Sequence, residues 1–162
     1  MAFDIAVLQT IINTWGYLGV FIVNAIGSAT IIFPLPGFFV TLALATTLNP
    51  WLLGFSAGLG SAVGELTGYV VGRGGREAIK NKYKKLFEKT DKWVERHGPF
   101  PIIILFAALP LPTDIMGILS GMIKYDVRKF FLAIFIGKTI RYLILIFAFL
   151  YGLNFIFHLG DL

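Results

Sequence analysis

Cysteine is absent from this chain of 162 residues, and histidine occurs only at His97 and His158. The first absence excludes disulfides and thiol chemistry. The second fits the lack of any His-Glu-x-x-His, Gly-x-Ser-x-Gly or Gly-x-x-x-x-Gly-Lys pattern. No metal-ligand set and no enzyme constellation stands out, and no cofactor is implied. Charge is scarce as well, at 14% of residues against about 25% in soluble domains. The first 72 residues hold no Lys or Arg, so the basic n-region of a signal peptide is missing. What is there is apolar: 57% hydrophobic residues and a mean hydropathy of +0.80. The expectation is an all-α integral membrane protein, multi-pass and in the cell membrane. It forms one domain over residues 1–162, with no room for a separate soluble module.

The net charge of +5 is concentrated. Residues 73–99 carry nine basic residues and four acids, whereas elsewhere five basic residues balance five acids. The basic excess is therefore one loop in a membrane protein rather than a nucleic-acid footprint. The positive-inside rule places that loop in the cytoplasm. It divides the chain into a first half, 1–72, and a second half, 100–162. Within it, Ile79, Tyr83, Leu86, Phe87 and Val94 follow the helical period, which predicts an amphipathic helix over 76–97. Such a helix lies in the headgroup layer and contacts anionic headgroups. A soluble helical cap would show a similar pattern.

The tripeptide Pro-Leu-Pro occurs twice, at Pro34-Leu35-Pro36 and Pro110-Leu111-Pro112, each time inside an apolar stretch. Two prolines one residue apart stop a helix. In lipid the freed backbone groups survive only where protein or a water-filled cavity surrounds them. Two matching breaks, one per half, point to a transport site between inverted repeats. The segments 27–49 and 100–122 thus read as re-entrant helical hairpins with tips at Pro34, Pro36, Pro110 and Pro112. Ordinary loops between short helices are the plainer alternative. Spanning helices are expected over about 5–26 and 51–72. A long apolar helix over 126–157 follows, continuous or jointed near Gly137. Beyond the two breaks the halves show no sequence repeat.

Helix 51–72 carries glycine at 60, 64, 68 and 72. Small residues at this spacing form a flat face that another backbone can approach closely, in the same chain or in a second copy. Four ionisable residues fall in the apolar part: Glu65, Asp114, Lys138 and Arg141. Each costs about 2.5–3.5 kcal/mol at the bilayer centre, so such groups are usually paired or functional. A salt-bridge cluster that fixes packing and a polar cavity for a charged headgroup are both open readings. Arg73-Gly74-Gly75-Arg76 is a weak candidate phosphate cradle at a helix start.

Gly64-Glu65-x-x-Gly68-Tyr69-x-x-Gly72-Arg73 resembles the Gly-(Asp/Glu)…Gly-Tyr…Gly-Arg signature of the DedA family, also called the VTT or SNARE-associated Golgi protein superfamily. Pro34-Leu35-Pro36-Gly37 resembles that family's first Pro-x-Pro motif. Pro110, Ser120-Gly121, Phe130 and Gly137 keep the spacing of its second-half pattern. The resemblance covers about residues 20–150 and is closest to the small YqaA-like branch. It implies two opposed re-entrant hairpins and movement of phospholipid or polyprenyl phosphate between leaflets. The departures are specific. Many members have arginines three residues before and three residues after the proline of the second hairpin, matched here by Pro110, where this chain has Ala107 and Thr113. Many have an acid after the first Pro-x-Pro-Gly, where Phe38 stands here, and tryptophan where Arg141 stands.

The expected function is lipid flippase or scramblase activity along a groove between the hairpins. Lys138 and Arg141 would supply positive charge, Glu65 and Asp114 counter-charge or proton exchange, and Arg73 a headgroup contact. A proton- or ion-coupled small-solute transporter and a non-transporting assembly factor are the alternatives.

Overall fold

The computed structural model describes residues 5–29, 37–80, 98–109 and 113–160. The four tip prolines and residues 81–97 of the expected amphipathic helix lie outside these. Six helices occupy the described residues: α1 (Ile5–Ala29), α2 (Gly37–Ala43), α3 (Pro50–Lys80), α4 (Pro99–Ala108), α5 (Asp114–Met122) and α6 (Val127–Gly160).

Local chemistry sets the helix ends. The Asn49 side chain accepts hydrogen bonds from the Trp51 and Leu52 amides at 3.0 and 3.3 Å. This caps α3, with Pro50 at its first position. Gly98 has φ 68° and is followed by Pro99 at the start of α4. Only glycine takes that backbone conformation without strain. Leu109 closes α4 in the extended region at φ −81°, ψ 157°, as the residue before a proline must. Asp126 caps α6, accepting from the Lys129 amide at 2.9 Å.

Two expected boundaries move, and the last helix takes the continuous one of its two expected forms. The first helix runs to Ala29, so the descending arm of the first broken segment is the end of α1 itself. Helix α3 runs on to Lys80, through Arg73-Gly74-Gly75-Arg76. Two glycines cost a helix only about 1 kcal/mol each and no proline intervenes. There is no helix start at Arg73, and hence no phosphate cradle of that kind. Helix α6 is continuous through Gly137.

Among the described residues, Val127–Leu153 is the stretch long and apolar enough to cross a bilayer, with mean hydropathy 2.0. Large apolar side chains face outwards as well as into the core, and several polar ones are buried. Trp15, Phe39, Trp51, Leu52, Val70, Leu105, Ile144 and Tyr151 are exposed, while Asn24, Thr41, Ser61, Glu65, Thr113, Ser120 and Lys138 are buried. Apolar surface of this extent facing outwards suits lipid, not water.

The glycine stripe of α3 is a groove with two occupants. A Cβ at Gly60 would strike the Phe21 carbonyl, and one at Gly64 the Ala25 carbonyl. Further along, Gly72 faces the Ile118 carbonyl, and Gly121 of α5 faces the Tyr69 carbonyl. Register rises together in both contacts, so α1 and α5 each run parallel to α3. They lie head to tail on one face, α1 ending where α5 begins. Helix α6 runs antiparallel to α3 on another face, with Gly54 against Leu143 and Gly58 against Thr139.

Candidate functional site

The end of α1 and the start of α5 meet α3 at one level. The Thr67 hydroxyl donates to the Ala29 carbonyl at 3.1 Å. The Thr113 hydroxyl, at the first cap of α5, donates to Glu65 Oε1. Thr113 makes no side-chain cap to its own helix, so its hydroxyl is diverted to the carboxylate. Lys138 Nζ reaches the same Oε1 at 3.0 Å, and both residues are nearly sealed, at 6% and 2% exposure. The other carboxylate oxygen, Oε2, is buried with no partner among the described residues.

The four intramembrane charges are therefore not one cluster. Glu65 and Lys138 form a closed ion pair. Asp114 is partly buried at the start of α5, within electrostatic reach of both. Arg141, one turn beyond Lys138 and partly exposed, makes no ion pair or hydrogen bond among the described residues. Arg73 stands apart at the far end of α3. It is exposed and donates to the Tyr69 hydroxyl at 3.0 Å. Glu65 thus stands as the counter-charge expected for Lys138, and Arg141 lies outside that pair.

A second polar cluster lies one turn away and was not anticipated. The Tyr142 hydroxyl donates to Asn24 Oδ1 at 2.6 Å and lies 3.1 Å from the Ser61 hydroxyl. Asn24 Nδ2 donates to the Thr41 hydroxyl at 3.0 Å and to the Val20 carbonyl at 2.8 Å. Four helices, α1, α2, α3 and α6, are tied by four side chains. The signal was present: Asn24 is an amide in an otherwise apolar run, and in a membrane such a group seeks a partner on another helix.

The structure also shows a repeat the sequence reading missed. Gly64-Glu65-x-x-x-Tyr69 on α3 has a counterpart in Gly137-Lys138-x-x-x-Tyr142 on α6. Each glycine is seated on the last turn of the helix before a proline break, Gly64 on Ala25–Ala29 and Gly137 on Ile104–Ala108. The next residues pair with each other. Each tyrosine hydroxyl crosses to the opposite half: Tyr69 to the Tyr125 carbonyl, Tyr142 to Asn24. Charge reversal between Glu65 and Lys138 hides the match from composition alone.

The VTT domain matches residues 35–151. Inner membrane protein YqaA of Escherichia coli (strain K12) is 26% identical over 103 residues, covering 64% of this chain and 69% of that protein. The Shigella flexneri protein of the same name matches to the same extent. Uncharacterized membrane protein YbfM of Bacillus subtilis (strain 168) is 23% identical over 135 residues, 76% of this chain and 82% of that protein. No solved structure matches. With the domain running from just before α2 through α3, α4 and α5 into α6, over more than half of the chain, the chain belongs to the VTT-domain, or DedA, family of membrane proteins and is of the YqaA-like kind.

Proposed function

We propose that the protein moves a lipid, phospholipid or polyprenyl phosphate, between leaflets as a flippase or scramblase. Its path is a groove bounded by two re-entrant hairpins, α1–α2 and α4–α5. The observation that carries this reading is the buried Glu65–Lys138 pair at the level where α1 ends and α5 begins. Two charges held in lipid are costly, and here they brace the junction of the interrupted helices. With that pair closed, Asp114 and Arg141 are the charges left to meet a headgroup. Arg141 is the side chain we assign to a phosphate, since an unpaired guanidinium matches its oxygens and lowers their desolvation cost. The acyl or prenyl tail stays in lipid. The basic segment 73–99 lies in the cytoplasm under the positive-inside rule.

Glu65 Oε2, without a partner among the described residues, favours a second reading, a proton- or ion-coupled small-solute transporter on the same scaffold. Proteoliposomes separate the two. Fluorescent phospholipid and labelled polyprenyl phosphate, scored for leaflet exchange beside solute uptake, should show lipid movement without uptake. Arg141→Ala should lower that movement at least tenfold while expression is retained, and Arg141→Lys should keep part of it. Unchanged lipid exchange in Arg141→Ala would rule out this assignment.

A further inference from the structure

The turn between α5 and α6 carries a backbone feature that the transport reading does not use. Lys124 has φ 55°, the only positive φ at a non-glycine residue among those described. The Tyr125 amide bonds the Ser120 carbonyl at 2.9 Å and the Lys124 amide bonds the Gly121 carbonyl at 3.1 Å. This is a helix-ending motif that normally places glycine where Lys124 stands. A lysine there is strained where glycine is not, and strain retained in this way directs attention to the side chain.

That side chain has company. Gly121 packs on the backbone of Tyr69 and Arg73, so the end of α3 lies against this turn. The Tyr69 hydroxyl bonds the Tyr125 carbonyl and accepts from Arg73 Nη1, which holds the guanidinium beside the turn. Arg128 and Lys129 follow on the first turn of α6. Arg73, Lys124, Arg128 and Lys129 are all exposed. Asp126, between Lys124 and Arg128, has one carboxylate oxygen engaged at the Lys129 amide. Toward the other end of these helices, residues 5–64 and 142–160 contain no Asp, Glu, Lys or Arg, and the charges that flank them in sequence there are the acids Asp4 and Asp161.

We infer that Arg73, Lys124, Arg128 and Lys129 form a docking surface for an anionic phospholipid headgroup in the adjacent leaflet. It is built from both halves of the chain and held in place by Tyr69. It is distinct from the segment 81–97 and does not depend on transport. A general basic excess would need neither the pinned guanidinium nor a strained lysine. Each neutralised charge weakens headgroup binding about fivefold near a membrane surface.

Native mass spectrometry of the full chain in neutral detergent tests this, with phosphatidylglycerol and phosphatidylcholine as probes. The unaltered protein should retain phosphatidylglycerol at least tenfold better. Lys124→Gly should fold as well or better yet lose about fivefold of that preference, and Arg73→Gln with Lys124→Gly should lose most of it. Tyr69→Phe, with all charges kept, should lose part of it by releasing Arg73. Equal retention of the two lipids by the unaltered protein would overturn the inference. So would an undiminished preference in the folded double variant, or displacement of bound phosphatidylglycerol by equimolar glycerol phosphate.

Discussion

Glu65 and Lys138 occupy the same register in the two long helices, each directly after a glycine seated on the helix that precedes a proline break. The pair therefore joins the two halves at equivalent points. Below and above it lie two apolar clusters. One contains Val20, Leu53, Ala57 and Tyr142, the other Ala62, Tyr69, Ala107 and Phe130. Each cluster takes residues from both long helices, so the ion pair is the polar waist of one interface.

Removing one partner should cost more than removing both. Lys138→Met leaves a buried carboxylate with only the Thr113 hydroxyl, and should destabilise the fold by about 3–5 kcal/mol. Glu65→Gln with Lys138→Met should recover most of that loss. The exchange Glu65→Lys with Lys138→Glu should recover less, because Thr113 would then face a cation from which it gains no acceptor. Thermal unfolding in detergent, followed by circular dichroism, checks the order of the three.

The glycines of α3 should respond unequally to alanine. At Gly64 and Gly72 the added carbon meets backbone carbonyls of α1 and α5, which cannot yield without separating the helices. A loss of about 1–3 kcal/mol is expected at each. At Gly68 the closest atom would be 3.6 Å away, and at Gly74 nothing lies within 4 Å. Gly68→Ala should be near neutral, and Gly74→Ala should stabilise by up to about 1 kcal/mol through helix propensity. The same unfolding assay decides, and equal effects at Gly64 and Gly74 would contradict the packing.

Tyr142→Phe keeps the ring in its cluster and deletes the hydroxyl shared by Asn24 and Ser61. Asn24 Oδ1 then loses its donor inside the helix bundle. The expected cost is about 1–3 kcal/mol. Asn24→Leu with Tyr142→Phe should restore part of it. A hydrogen-exchange experiment should show the loss concentrated in α2, which Asn24 holds through Thr41.

Much of this was legible in the chain. Helices end at Ala29 and Ala108 and begin at Gly37 and Asp114, on either side of the two Pro-Leu-Pro stretches, which lie outside the described residues. Glu65 and Lys138 stood out because charge is rare in apolar sequence. Their partnership did not, since sequence carries no register between helices this far apart. The glycine period announced a close contact but not that two helices share it. Asn24, Thr41, Ser61 and Tyr142 were overlooked because each is a single ordinary polar residue, and only folding gathers them. The stop of α3 was set at residue 72 and a new helix start at Arg73, although Gly74-Gly75 weakens a helix without terminating it and α3 runs on to Lys80.

The shared groove on α3 bears on how the protein is made. Gly60 and Gly64 find their cover in α1, which is synthesised before them. Gly68 and Gly72 wait for α5, which leaves the ribosome only after the whole of segment 81–97. During that interval half of the groove stands open to whatever small-faced helix is nearby, in this chain or another. The nascent first half is therefore the stage most open to mispairing, and its rescue depends on the timely arrival of Gly117 and Gly121.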